Sequence, residues 1–173
     1  VPGYRYHLVQ VAGFAGQPAG GNTEGNVAAP VAEEIARYIK EAGLKQPAVI
    51  GHSMGGTMGM MLAARHPDAL SRLMVVDMYP YLGSFFAGPG AAPEQVETVA
   101  NAVMAGIRNA SPEQRARSTS DTIVGMVNTE SMRAGAISDS AASDPDVSGR
   151  AYRELIVTNL IPVSYTHLRA HET

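Results

Sequence analysis

A chain of 173 residues with 45% hydrophobic and 17% charged residues has ordinary globular composition and enough length for one domain with a real core. Its net charge of −3 comes without any basic stripe, which argues against nucleic acid and anionic membrane as partners. The absence of cysteine excludes disulfides, thiolate metal sites and a cysteine nucleophile, although it does not fix the compartment.

No apolar run approaches the roughly 18 residues of a membrane-crossing helix. The first residues, Val1-Pro2-Gly3-Tyr4-Arg5, lack the charged and apolar regions of a signal peptide, and a start at Val rather than Met suggests a processed or truncated beginning. Tyr4 to Ala12 mixes aromatic and β-branched residues and then runs into Gly13-Phe14-Ala15-Gly16-Gln17-Pro18, which predicts a strand followed by a long loop. The glycines of that loop do not have the G-x-G-x-x-G spacing, no helix opens on them, and Pro18 interrupts, so no phosphate cradle and no cofactor is expected.

Pro30 stands where a first helical residue would, with Glu33 and Glu34 in the first turn. Val31, Ile35 and Ile39 recur every fourth residue and Gly43 ends the pattern, which predicts an amphipathic helix covering a sheet.

The stretch that follows carries the chemistry. Ala48-Val49-Ile50 is a short apolar run of strand type, and it collapses into Gly51-His52-Ser53-Met54-Gly55-Gly56. Met58, Met61 and Leu62 then fall at helical spacing until Pro67 stops them. The pattern reads as strand, tight turn, helix with Ser53 at the apex. Glycine two residues before and two after the serine, Gly51 and Gly55, is expected because the sharp turn is sterically crowded. Such a turn exposes the hydroxyl and aims the Met54 N–H, at the start of a helix, at a place where an oxyanion could sit. Five letters alone are a weak warrant; the flanking strand and helix supply the context the motif requires.

Leu73-Met74-Val75-Val76 predicts a third short strand ending at Asp77. Strand, helix, strand, helix, strand implies right-handed crossovers and a parallel α/β sheet of about three strands. After Pro80 the strand signal disappears. Val96, Val99, Val103, Met104 and Ile107 mark one helix, and Ser111-Pro112-Glu113-Gln114 offers a capping box for a second through about Val127. A third short helix is expected near Glu130 to Ile137. Asp144-Pro145 starts a fourth, with Tyr152, Leu155, Ile156 and Leu160 on one face. These helices predict an insertion across one edge of the sheet, their methionines and valines being plain core.

Taken together, the elbow Gly51 to Gly56, its strand, and the run Leu62-Ala63-Ala64-Arg65-His66-Pro67 leading into Leu73 to Asp77 resemble the α/β-hydrolase fold superfamily over residues 1 to about 162. The resemblance implies a partial core over residues 1–78 and a helical cap over 79–162. It implies Ser53 as nucleophile and the Met54 amide as half of an oxyanion hole, with Gly51, His52, Gly55 and Gly56 shaping the elbow. In the family a second oxyanion donor comes from an earlier turn, and the acid and histidine follow the cap, so this chain is expected to be an internal piece that lacks them.

Residues 163–173, Val-Ser-Tyr-Thr-His-Leu-Arg-Ala-His-Glu-Thr, resemble a translated adapter read-through and are expected to be a non-native tail. His167 and His171 have the four-residue spacing of zinc ligands on a helix. The glutamate follows the second histidine rather than the first, however, and no third ligand is evident, so no metal site is expected. Asp77, at the carboxyl end of a strand beside the nucleophile strand, is the one acid candidate, against a reading as a solvated or capping carboxylate. His52 sits inside the elbow, where it would pack or orient rather than act as base. His7 and His66 read as structural.

The resulting expectation is a serine hydrolase acting on a small-molecule ester or similar acyl substrate, with the piece itself inactive. The alternatives are an acyltransferase of the same fold and a non-catalytic binding protein.

Overall fold

The computed structural model describes residues 3–163. Two strands, β1 (Ala48–His52) and β2 (Arg72–Val76), pair in parallel with Ala48 opposite Arg72 and His52 opposite Val76. Helix α2 (Met54–Arg65) makes the crossover between them through a 3-10 turn at Pro67–Ala69. Helix α1 (Ala28–Glu41) precedes β1 and packs on α2.

The closeness of α2 to the sheet is set by its glycines. A Cβ on Gly59 would lie 2.6 Å from Leu73 Cδ1, and one on Gly56 would lie 2.9 Å from Val75 Cγ1. The other side of α2 presents Met58, Met61 and Leu62 to Val31, Ala32 and Ile39 of α1, and these form the main buried cluster. Only one face of the sheet is covered in this way. On the opposite face Ile50, Met74 and Val76 are exposed.

The expected first strand does not form. Tyr4 to Ala12 pairs with no strand among the described residues, and Leu8 is 94% exposed. Strand-type residues fix no strand by themselves, because the backbone groups of an extended segment need a neighbouring ladder. The segment instead lies along α1, leaving an open cleft of about 380 Å³ lined by Leu8, Val9, Ile35 and Tyr38. His7 Nδ1 meets the Tyr38 hydroxyl there at 2.6 Å, a tie between segment and helix.

Helix α1 begins at Ala28, two residues before Pro30. After β2 come α3 (Gly83–Phe86), α4 (Pro93–Asn109), α5 (Pro112–Met126), α6 (Glu130–Ala141) and α7 (Pro145–Val157). The capping box forms as its sequence requires: Gln114 N–H donates to Ser111 Oγ at 3.2 Å and Ser111 N–H to Gln114 Oε1 at 2.7 Å. Asp144 caps α7 by accepting from Asp146 N–H at 2.8 Å and Val147 N–H at 3.0 Å. Helices α4 and α7 pack closely, since a Cβ on Gly149 would lie 3.0 Å from the Met104 carbonyl oxygen. Helices α5 and α6 pair with each other and bury none of their residues.

The inward face of α7 differs from the expected one. Leu155, Ile156 and the later Leu160 are buried, but Tyr152 is 46% exposed and its place is taken by Val147, Ala151 and Glu154.

Candidate active site

Ser53 sits between the last residue of β1 and the first of α2 with φ 51° and ψ −123°. An L-residue with a side chain rarely holds that conformation, which costs on the order of 1–3 kcal/mol and persists only when the surroundings impose it. Three hydrogen bonds impose it here. Ser53 N–H donates to the Val76 carbonyl at 2.9 Å, extending the β1–β2 pairing one residue beyond the strand. The Ser53 carbonyl accepts from Gly56 N–H at 2.8 Å and Thr57 N–H at 3.4 Å, which starts the helix. The serine is therefore pinned on both sides at a corner between strand and helix.

The elbow glycines divide in a way the motif alone does not reveal. A Cβ on Gly51 would lie 2.2 Å from the Gly55 carbonyl oxygen and 2.7 Å from Gly56 N, so glycine is obligatory there. At Gly55, by contrast, an added Cβ meets nothing within 4 Å. The steric demand after the serine falls on Gly56, which is wedged against Val75 and Met78. The expectation that Gly55 closes the turn is corrected accordingly.

Met54 is half-buried, and its side chain packs against the buried cluster of Val27, Val147 and Ala151. Its N–H belongs to the first turn of α2, where no intrahelical acceptor exists, and it meets no acceptor among the described residues. A helix N-terminus with a free N–H is suited to stabilising developing negative charge.

Asp77 follows Val76 directly, so the register that sets Val76 beside His52 sets Asp77 beside Ser53 at the carboxyl ends of both strands. It too has a positive φ, 53°, so both strands leave the sheet through a residue in the left-handed region. Asp77 is exposed, and among the described residues it makes no hydrogen bond or ion pair. His52 is exposed on the strand, and no histidine or carboxylate hydrogen-bonds Ser53 among the described residues. His66 lies far along α2, where its Nε2 meets Glu33 Oε2 at 2.7 Å. His167 and His171 lie outside the described residues. No group of three potential metal ligands occurs among the described residues, and no helix is long and apolar enough to cross a membrane.

Sequence reasoning missed a set of α7 residues that reach across to the elbow's surroundings. Glu154, 2% exposed, accepts from Val27 N–H and Ala28 N–H at 2.6 Å each and from Ala29 N–H at 2.9 Å. Arg150, one turn earlier, donates to the Gly25 carbonyl at 2.9 Å and to the Asn22 carbonyl, and pairs with Asp146 at 2.8 Å. Their spacing of four is visible in the sequence, but it reads as a solvated charged face, because nothing local announces a partner more than a hundred residues away.

Comparison with known proteins gives this geometry its context. A family profile describing the alpha/beta hydrolase fold matches residues 1–168. The chain is 35% identical to a pimeloyl-[acyl-carrier protein] methyl ester esterase of Aeromonas hydrophila, over 53% of this chain and 34% of the relative. It is 35% identical to the mouse sn-1-specific diacylglycerol lipase ABHD11 over 38% of this chain and 24% of that protein. It is 32% identical to a putative carbamate hydrolase RutD of Yersinia enterocolitica over 40% of this chain and 25% of the relative. The chain thus spans about a third or less of the length of these curated relatives. No solved structure matches. With a match covering nearly every residue and a parallel strand, sharp turn and helix built around Ser53, the chain belongs to the alpha/beta hydrolase fold family.

Proposed function

We propose that this chain carries the nucleophile of a serine hydrolase that cleaves an ester or a similar acyl bond. The observation that carries the reading is Ser53 held at φ 51° on a strand-to-helix corner, with the Met54 N–H, which meets no acceptor among the described residues, beside it. Ser53 Oγ attacks the acyl carbon and gives its proton to a base. The carbonyl oxygen becomes an oxyanion near the Met54 N–H, and its collapse breaks the bond to the leaving alcohol or amine, which takes the proton. Water then hydrolyses the acyl-enzyme. The relatives are named as a methyl ester esterase, a diacylglycerol lipase and a putative carbamate hydrolase, and esters and carbamates share a carbonyl joined to a heteroatom, which supports the reading.

In this reading the base comes from outside the described residues, and Asp77 is the acid candidate by virtue of its place beside Ser53. A fluorophosphonate probe applied to the complete gene product carrying this sequence tests the assignment: peptide mass spectrometry should find the adduct on Ser53. Product analysis with competing alcohol acceptors separates hydrolysis from acyl transfer.

A further inference from the structure

Helix α1 has neither a side-chain cap at Val27 nor an acidic residue in its first turn. Its first N–H groups are satisfied instead by one carboxylate from α7: Glu154 takes Val27 and Ala28 on Oε2 and Ala29 on Oε1. A buried carboxylate is costly unless its charge is met, and here three N–H donors and the positive end of the helix dipole meet it.

What that anchor holds in place bears on the elbow. Val27, fully buried, forms a cluster with Val147 and Ala151, and Met54 packs against this cluster. Val147, Ala151 and Glu154 fall on one face of α7 at spacings of four and three. A single helix face therefore fixes the backbone of Val27 by hydrogen bonds and, through its valine and alanine, borders the residue directly after Ser53. Gly13 closes the same arrangement, since a Cβ there would lie 2.7 Å from both Val147 methyls and the Gly13 carbonyl accepts from Asp144 N–H at 2.8 Å.

We propose that Glu154 is a positioning residue for the elbow: by clamping the Val27 turn to α7 it holds the cluster against which Met54 rests, and so fixes the amide that follows Ser53. The proposal rests on the reading of Ser53 as nucleophile for its kinetic consequence, but not for its structural one. Loss of the clamp loosens Met54 and slows attack, because small misplacements at a reacting centre are expensive, while substrate contacts made elsewhere are unchanged.

The test uses Glu154→Gln in the complete gene product. Glutamine keeps the size but turns an NH₂ toward backbone donors. The expected result is a fluorophosphonate labelling rate at Ser53 lowered about tenfold or more per folded molecule, with substrate KM little changed. The Met54 methyl resonance should shift, and hydrogen exchange at the Gly56 N–H, which closes the elbow onto Ser53, should quicken. Val96→Ala, in the buried cluster that α4 forms with Ile156 on another face of α7 and that includes neither Val27 nor Met54, serves as the control for plain destabilisation and should change none of these per folded molecule.

If Glu154→Gln does not fold, Val147→Ala removes the packing half of the clamp and should produce the same shift at Met54. Wild-type protein that never labels, together with a Met54 shift in the variant, defeats the nucleophile reading and leaves the positioning role standing. Normal labelling with unchanged Met54 and Gly56 signals in the variants overturns the proposal.

Discussion

The amide of Ser53 donates to the carbonyl of Val76 at 2.9 Å, so the candidate nucleophile is the last rung of the β1–β2 ladder as well as the cap of α2. Its unusual backbone is thus held by the neighbouring strand and not only by its own turn.

From this follows a contrast between two glycines of the same motif. Gly51→Ala should destabilise the chain by about 3 kcal/mol or more, because the clash is with backbone that cannot yield. Gly55→Ala has open space in a helical turn and should be neutral or stabilising by roughly 0.5–1 kcal/mol. Urea midpoints of the two variants check this, and a reversed order would contradict the geometry described for the elbow.

Glu33 joins α1 to the end of α2 through His66 and Arg65, the latter at 3.0 Å. The hydrogen bond from His66 first, and that from Arg65 next, hold its carboxyl below the usual carboxylate range. A depressed carboxyl contributes stability that is present above its unfolded pKa and is lost as pH falls through its folded pKa. The stability difference between wild type and Glu33→Gln should therefore shrink on acidification from about pH 6 to about pH 3. Denaturation at a series of pH values measures it; a difference that stays constant or grows would be inconsistent with the pairing.

Leu62 is fully buried between α2 and α1, whereas Leu8 is 94% exposed. Leu62→Ala should cost about 2–5 kcal/mol through lost burial and a cavity, and Leu8→Ala less than about 0.5 kcal/mol. Sequence alone ranks the two leucines alike, so equal costs in thermal unfolding would refute the packing.

The uncovered sheet face has Ile50 69% exposed and Met74 59% exposed, side by side in the register. Contiguous apolar surface of this kind promotes association. Ile50→Lys should raise the concentration at which the chain stays monomeric, as followed by static light scattering. An unchanged or lower threshold would mean that this face does not drive association.

Much of this architecture is legible in the sequence, for a physical reason. The elbow, the boundaries of α2 and β2 and the caps of α5 and α7 depend on residues within a few positions of one another, and propensity, glycine and proline report such features directly. The failures are all cases in which a distant partner decides. Tyr4 to Ala12 has strand-type residues but no ladder to join. Gly55 carries the motif while Gly56 carries the contact with Val75 and Met78. Glu154 reads as one more solvated charge on a helix, and becomes a buried cap only because α7 folds back onto the start of α1.

Whether Ser53 is the nucleophile is decided by the site of covalent modification when the complete gene product carrying this sequence meets a fluorophosphonate. A single adduct on Ser53 is expected, abolished by Ser53→Ala and by prior unfolding. An adduct on another serine, or none on Ser53 under conditions that label a known serine hydrolase, would contradict it.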